Sequence, residues 1–100
     1  MNDKEYYSLN KMLSYIEKIE RYTYSLSFEE FSCNDIVVDA TIFSISQIGE
    51  LVKNLIKWSV IKGLRNKIVH DYEGINLYMI WIVIKKDLPQ LKTNLIQILK

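Results

Sequence analysis

Apolar residues recur at three- and four-residue intervals along most of the chain, the spacing that gathers side chains on one face of an α-helix. Leu9, Met12, Leu13, Ile16 and Ile19 mark a first helix from about Lys4 to Tyr24, with Lys11, Glu17, Lys18 and Glu20 outside the stripe. Ser25 to Ser32 interrupts the pattern; Ser27 and Glu30 stand there at capping-box spacing, enough for one short helical turn. A second long helix opens at the capping pair Asn34-Asp35 and runs to about Lys57. Between Ile36 and Ile56 it is apolar around much of its circumference, which places it either centrally in a bundle or against a second subunit.

A third helix is expected over roughly Trp58 to Asp71, closed by Gly74, and a fourth over about Asn76 to Lys85. Asp87-Leu88-Pro89 then opens the last helix, with Pro89 in its first turn. The run Tyr78 to Ile84 reads on local propensity as a buried strand as readily as a helix. Helix is the expectation, because one strand in a helical chain has no partner for its backbone groups. The pattern therefore predicts an all-α bundle of four to five helices in a single domain, residues 1–100.

Composition agrees with this and removes several function classes. Three glycines and one proline are too few for a turn-rich β-sandwich. The single cysteine, Cys33, excludes an intramolecular disulfide framework and suits a reducing compartment. With only one histidine beside it, no zinc cluster is credible, and nothing implies a cofactor. The charged N-terminus does not read as a secretory signal, and the longest apolar run is too short to span a bilayer, so a cytoplasmic protein is expected. The net charge is only +1, but it is unevenly placed. Residues 1–50 carry four Lys/Arg against nine Asp/Glu, a net −5; residues 51–100 carry nine against three, a net +6. The halves can neutralise each other within the fold, or the basic half can meet a polyanion such as RNA; the asymmetry alone does not choose.

Candidate chemistry concentrates between Trp58 and Ile75. The only histidine, one of two arginines and a tyrosine fall within residues 65–72. On a helix turning about 100° per residue, with Arg65 at zero, Trp58, Ile61, Ile68, Val69 and Tyr72 all lie within about 60° of it. Asn66 and His70 lie at about +100° and +140°, at the polar edge of that apolar arc. An arginine in the middle of an apolar stripe needs a paired carboxylate, such as Glu50, or a water-filled cleft. Taken singly, His70 reads as a hydrogen-bonded structural histidine and Tyr72 as an aromatic at the core edge. Taken together, they supply a proton carrier near neutral pH and a planar fork for phosphate, the parts needed to cleave RNA without a metal. One helix presents Arg65 and His70 on different sides, so two copies about a two-fold axis are a natural way to surround one phosphate.

Arg65, four residues, His70, one residue, Tyr72 resembles the Arg-x4-His-x-Tyr signature of the HepT-like HEPN ribonuclease toxins. Trp58, Gly63-Leu64, Asn66, Val69 and Gly74-Ile75 extend the likeness, as do Ile48-Gly49-Glu50 upstream and Trp81 and Asp87-Leu88-Pro89-x-Leu91 downstream. The chain departs from the family in lacking a proline-containing loop before Trp58. The resemblance implies a HEPN-type antiparallel helical bundle that forms a homodimer, with Arg65 and His70 of both copies lining a shared cleft and Asn66 supporting them. It implies an endoribonuclease that needs no metal, the toxin of a bacterial toxin–antitoxin pair. Its partner would be a minimal nucleotidyltransferase antitoxin that adenylylates Tyr72, placing a bulky anion at the mouth of the cleft. Asp71, beside His70, would either raise its pKa or repel RNA. The alternative reading keeps the fold and the partner but not the chemistry: a non-catalytic HEPN helical subunit that binds a nucleotidyltransferase.

Overall fold

The computed structural model describes residues 2–52 and 76–100. Helix α1 (Asp3–Thr23) starts where Asn2 accepts a hydrogen bond from the Glu5 N–H at 2.8 Å, and Asp3 and Glu5 set negative charge against its N-terminal dipole. Leu9, Met12, Ile16 and Ile19 are fully buried, as the stripe predicts, and Leu13 packs half-buried beside them. The expected short turn is a true helix, α2 (Phe28–Ser32), and both halves of its capping box form. Ser27 Oγ accepts from the Glu30 N–H at 3.1 Å and Glu30 Oε1 accepts from the Ser27 N–H at 2.9 Å.

Helix α3 (Asp35–Val52) opens where Asn34 Oδ1 accepts from the Val37 N–H at 3.1 Å. Its expected continuation to Lys57 falls outside the described residues, as does the whole third predicted helix, Trp58 to Asp71, with Gly74. Val38, Ile45, Ile48 and Val52 are buried, but Ile36 is 82% exposed and Phe43 58% exposed. The described residues thus leave the helix uncovered at these two positions.

Residues 77–84 are helical, and the described residues contain no strand. Helix α4 (Leu77–Ile82) is capped by Asn76, whose side-chain oxygen accepts from the Tyr78 and Met79 N–H groups. The boundary expected between Lys85 and Asp87 is absent. A π-helical segment (Val83–Asp87) instead joins α4 directly to α5 (Leu88–Leu99), with Ile82, Val83, Asp87 and Leu88 all in right-handed helical geometry. Pro89 is the physical reason. It has no N–H for an i→i−4 bond, and its ring would crowd the carbonyl four residues back. The wider turn, in which the Leu88 N–H reaches the Val83 carbonyl, lets the chain pass the proline without stopping.

Helix α1 lies against both α3 and α5, and α2 bridges α3 and α4. Leu88, Leu91 and Leu95 of α5 close one core with the α1 and α3 residues. Lys92 Nζ and Glu20 Oε1, 2.8 Å apart, tie α5 to α1 at the surface. Among the described residues no helix is long and apolar enough to cross a membrane.

Candidate functional site

Arg65, Asn66, His70 and Tyr72 all lie outside the described residues, and so does Asp71. What the structure gives is the frame on either side of them. Upstream, α3 delivers buried Ile48, Gly49 and Val52, with Glu50 exposed on the same last turns. Downstream, the Asn76 cap fixes where α4 begins.

The downstream side of this frame is anchored by aromatic packing. Phe31 of α2 is fully buried with its ring centroid 5.2 Å from that of Trp81, and Phe28 meets Tyr78 edge-on at 5.4 Å and Trp81 at 6.1 Å. Lys85 Nζ, in the middle of the π segment, sits 4.6 Å from the Trp81 ring centroid, a cation–π contact. Trp81, which the sequence marks as part of the extended likeness, therefore holds α4 to α2. The sequence pattern missed this cluster, since its members are some fifty residues apart and local periodicity carries no pairing information.

Charge on the described surface is specific in two places. The Ser27 backbone and side chain hydrogen-bond the Glu30 carboxylate and hold its pKa below the ordinary 4.5. The hydrogen bond from Lys92 to Glu20 raises the Lys92 pKa above the ordinary 10.5, against a smaller opposing effect of burial. An open cleft of about 390 Å³ at the C-terminal end of α1 is lined by Glu17, Glu20, Arg21 and Tyr24. Two carboxylates against one guanidinium make it a poor place for a phosphate. Among the described residues, no group of three or more His, Cys, Asp or Glu could hold a metal ion.

The sequence model of the family described as ribonuclease HepT-like matches residues 12–57 and 53–98, so both the described frame and the undescribed motif segment fall within it. The chain belongs to the HepT-like ribonuclease family. It is 36% identical over 85 residues to a "Putative RNase" of Caldanaerobacter subterraneus, covering 75% of this chain and 76% of that one. It is 33% identical over 87 residues to a "Probable ribonuclease HepT" of Thermococcus cleftensis, covering 77% and 79%. A third relative, a "Gamma-glutamylcyclotransferase and putative RNase" of Methanocaldococcus jannaschii, is 34% identical over 102 residues. That match takes in 92% of this chain but only 46% of the longer protein. No solved structure matches. The all-α bundle expected of a HepT-like chain is the fold observed.

Proposed function

We propose that this HepT-like protein is an endoribonuclease toxin that cuts RNA without a metal at a cleft shared by two copies of the chain. The observation that carries the reading is a family match spanning 12–57 and 53–98 in a chain that keeps Arg65, His70 and Tyr72 in the family's spacing. In the proposed reaction the ribose 2′-hydroxyl attacks the adjacent phosphorus and the 5′-oxygen of the next nucleotide leaves. His70 moves the proton, Arg65 holds the charge that builds on the phosphorane, and Asn66 supports the pair. Homodimerisation is supported by the separation of about 140° that an ideal helix would give Arg65 and His70, and by Ile36 and Phe43, exposed among the described residues.

Control would come from a minimal nucleotidyltransferase antitoxin that adenylylates Tyr72. On an ideal helix Tyr72 would share the azimuth of Arg65 to within about 20°, so the added anion would stand over the proposed phosphate-binding arginine. Toxin and antitoxin would meet in the cytoplasm. The test is RNA cleavage in EDTA by the purified protein beside Arg65→Ala and His70→Ala. Each substitution is expected to lower the rate by about 10²-fold or more. Cleavage that requires a metal, or that survives both substitutions, would overturn the mechanism. Co-expression with a minimal nucleotidyltransferase encoded beside it is expected to add AMP mass units to Tyr72.

A further inference from the structure

Helix α1 carries a second, independent pattern beside its core stripe. Lys4, Tyr7, Lys11, Tyr15, Lys18 and Tyr22 alternate lysine with tyrosine at spacings of three and four residues. On an α-helix they fall within an arc of about 80° and run along about 27 Å of its length. The structure shows two of the lysines resting on the tyrosines: Lys11 Nζ lies 6.0 Å from the Tyr7 ring centroid and Lys18 Nζ 5.2 Å from that of Tyr15. Lys4, Tyr7 and Lys11 are exposed, Tyr7 at 59%, while Tyr15, Lys18 and Tyr22 are half-buried.

No carboxylate of α1 lies within this arc. With Tyr7 at zero the stripe occupies about 0° to +80°, whereas Glu5, Glu17 and Glu20 lie at about +160°, −80° and −140°, and Asp3 of the first turn at about −40°. Glu20 is already engaged by Lys92. Within an acidic half-chain this narrow arc holds only cations and rings. Electrostatics alone would need no rings, and helix stability alone would be served as well by Lys–Glu pairs.

Aromatic faces interleaved with cations are what a single-stranded nucleic acid recognises: bases stack on the rings while ammonium groups meet the phosphates. We infer that the Lys–Tyr stripe of α1, made of residues other than Arg65 and His70, is a binding track for single-stranded RNA. The inference rests on the reading that the protein acts on RNA. Duplex RNA is a poorer occupant, because its base faces are hidden in the stack.

The test uses the full chain carrying His70→Ala, so that RNA stays intact, titrated with a fluorescein-labelled single-stranded RNA of about 10 nucleotides and read by anisotropy. Adding Lys11→Gln with Lys18→Gln is expected to weaken binding about tenfold. It should also flatten the slope of log affinity against log salt by about 1.4, from about 0.7 per lost phosphate contact. Tyr7→Leu is expected to weaken binding about fivefold at an unchanged salt slope, as loss of one stacking face requires. Lys85→Gln with Lys86→Gln removes the same charge from the π segment and is expected to bind as the parent does. Circular dichroism confirms that each variant is folded.

Equal losses from the two lysine pairs would overturn the inference in favour of bulk charge. Unchanged binding by both the Lys11/Lys18 and Tyr7 variants, with the wild-type chain still cleaving RNA, would overturn the track and leave the nuclease standing. A wild-type chain that neither binds nor cuts RNA would remove both.

Discussion

Ser27 and Glu30 satisfy each other's orphan N–H groups at the start of α2, and their value is that of a cap rather than of a charge. Ser27→Ala is expected to cost about 1 kcal/mol in urea unfolding. The cap also sets a pH dependence. The Glu30 pKa is lower folded than unfolded, so its stabilising effect is complete above the unfolded value near 4.5 and is lost as pH falls through the folded value. Replacing Glu30 with Gln is therefore expected to flatten the unfolding midpoint against pH on the acid side of 4.5 and leave its course near neutrality unchanged. The Lys92–Glu20 pair carries the opposite sign and less weight. A raised lysine pKa stabilises below the unfolded value near 10.5 and fades as pH rises through the folded one. Both side chains are partly solvated, at 30% and 44% exposure, so screening limits the coupling. A double-mutant cycle with Lys92→Met and Glu20→Gln is expected to give about 0.5 kcal/mol or less, vanishing in molar salt.

At the scale of elements, caps and stripes were readable because they are local: α1, the capping box of α2 and the Asn34 start of α3 all follow from residues within one or two turns. The join of α4 to α5 departs from the expected boundary for an equally local reason. Pro89 has the same signature at the start of a new helix as just past a π turn inside a continuing one, and only the backbone register separates the two. The docking of α2 was not readable, since it depends on Phe28 and Phe31 finding Tyr78 and Trp81 across the chain. That docking concentrates in Phe31, fully buried against Trp81, while Phe28 keeps part of its ring in water. Phe31→Ala is expected to destabilise by about 3 kcal/mol or more in urea, whereas Phe28→Ala costs less. Equal costs would mean that α2 is held by its edge aromatics rather than by its buried ring.

For the molecule as a whole, the candidate site is a reading of the sequence alone: an arginine in an expected apolar arc and a histidine at its polar edge stand out there, and both lie outside the described residues. How the two meet was not legible. They diverge by about 140° on an ideal helix, so one helix cannot point both at the same phosphorus. In the proposed dimer, apposition of two copies would resolve the conflict, since a two-fold axis would bring the Arg65 of one chain towards the His70 of the other. Subunit mixing separates this from a site complete within one chain. Arg65→Ala and His70→Ala are each expected to be inactive alone, their homodimers lacking every copy of one group. Unfolded together and refolded, they reassort so that about half the dimers are mixed, each retaining one arginine and one histidine. Cleavage is then expected to reappear well above either variant alone and to saturate as the two proteins approach equal amounts. A site complete within one chain gives no recovery at any ratio, because no chain in the mixture holds both groups. Recovery dependent on the mixing ratio would therefore make the dimer, rather than the single helical bundle, the catalytic unit.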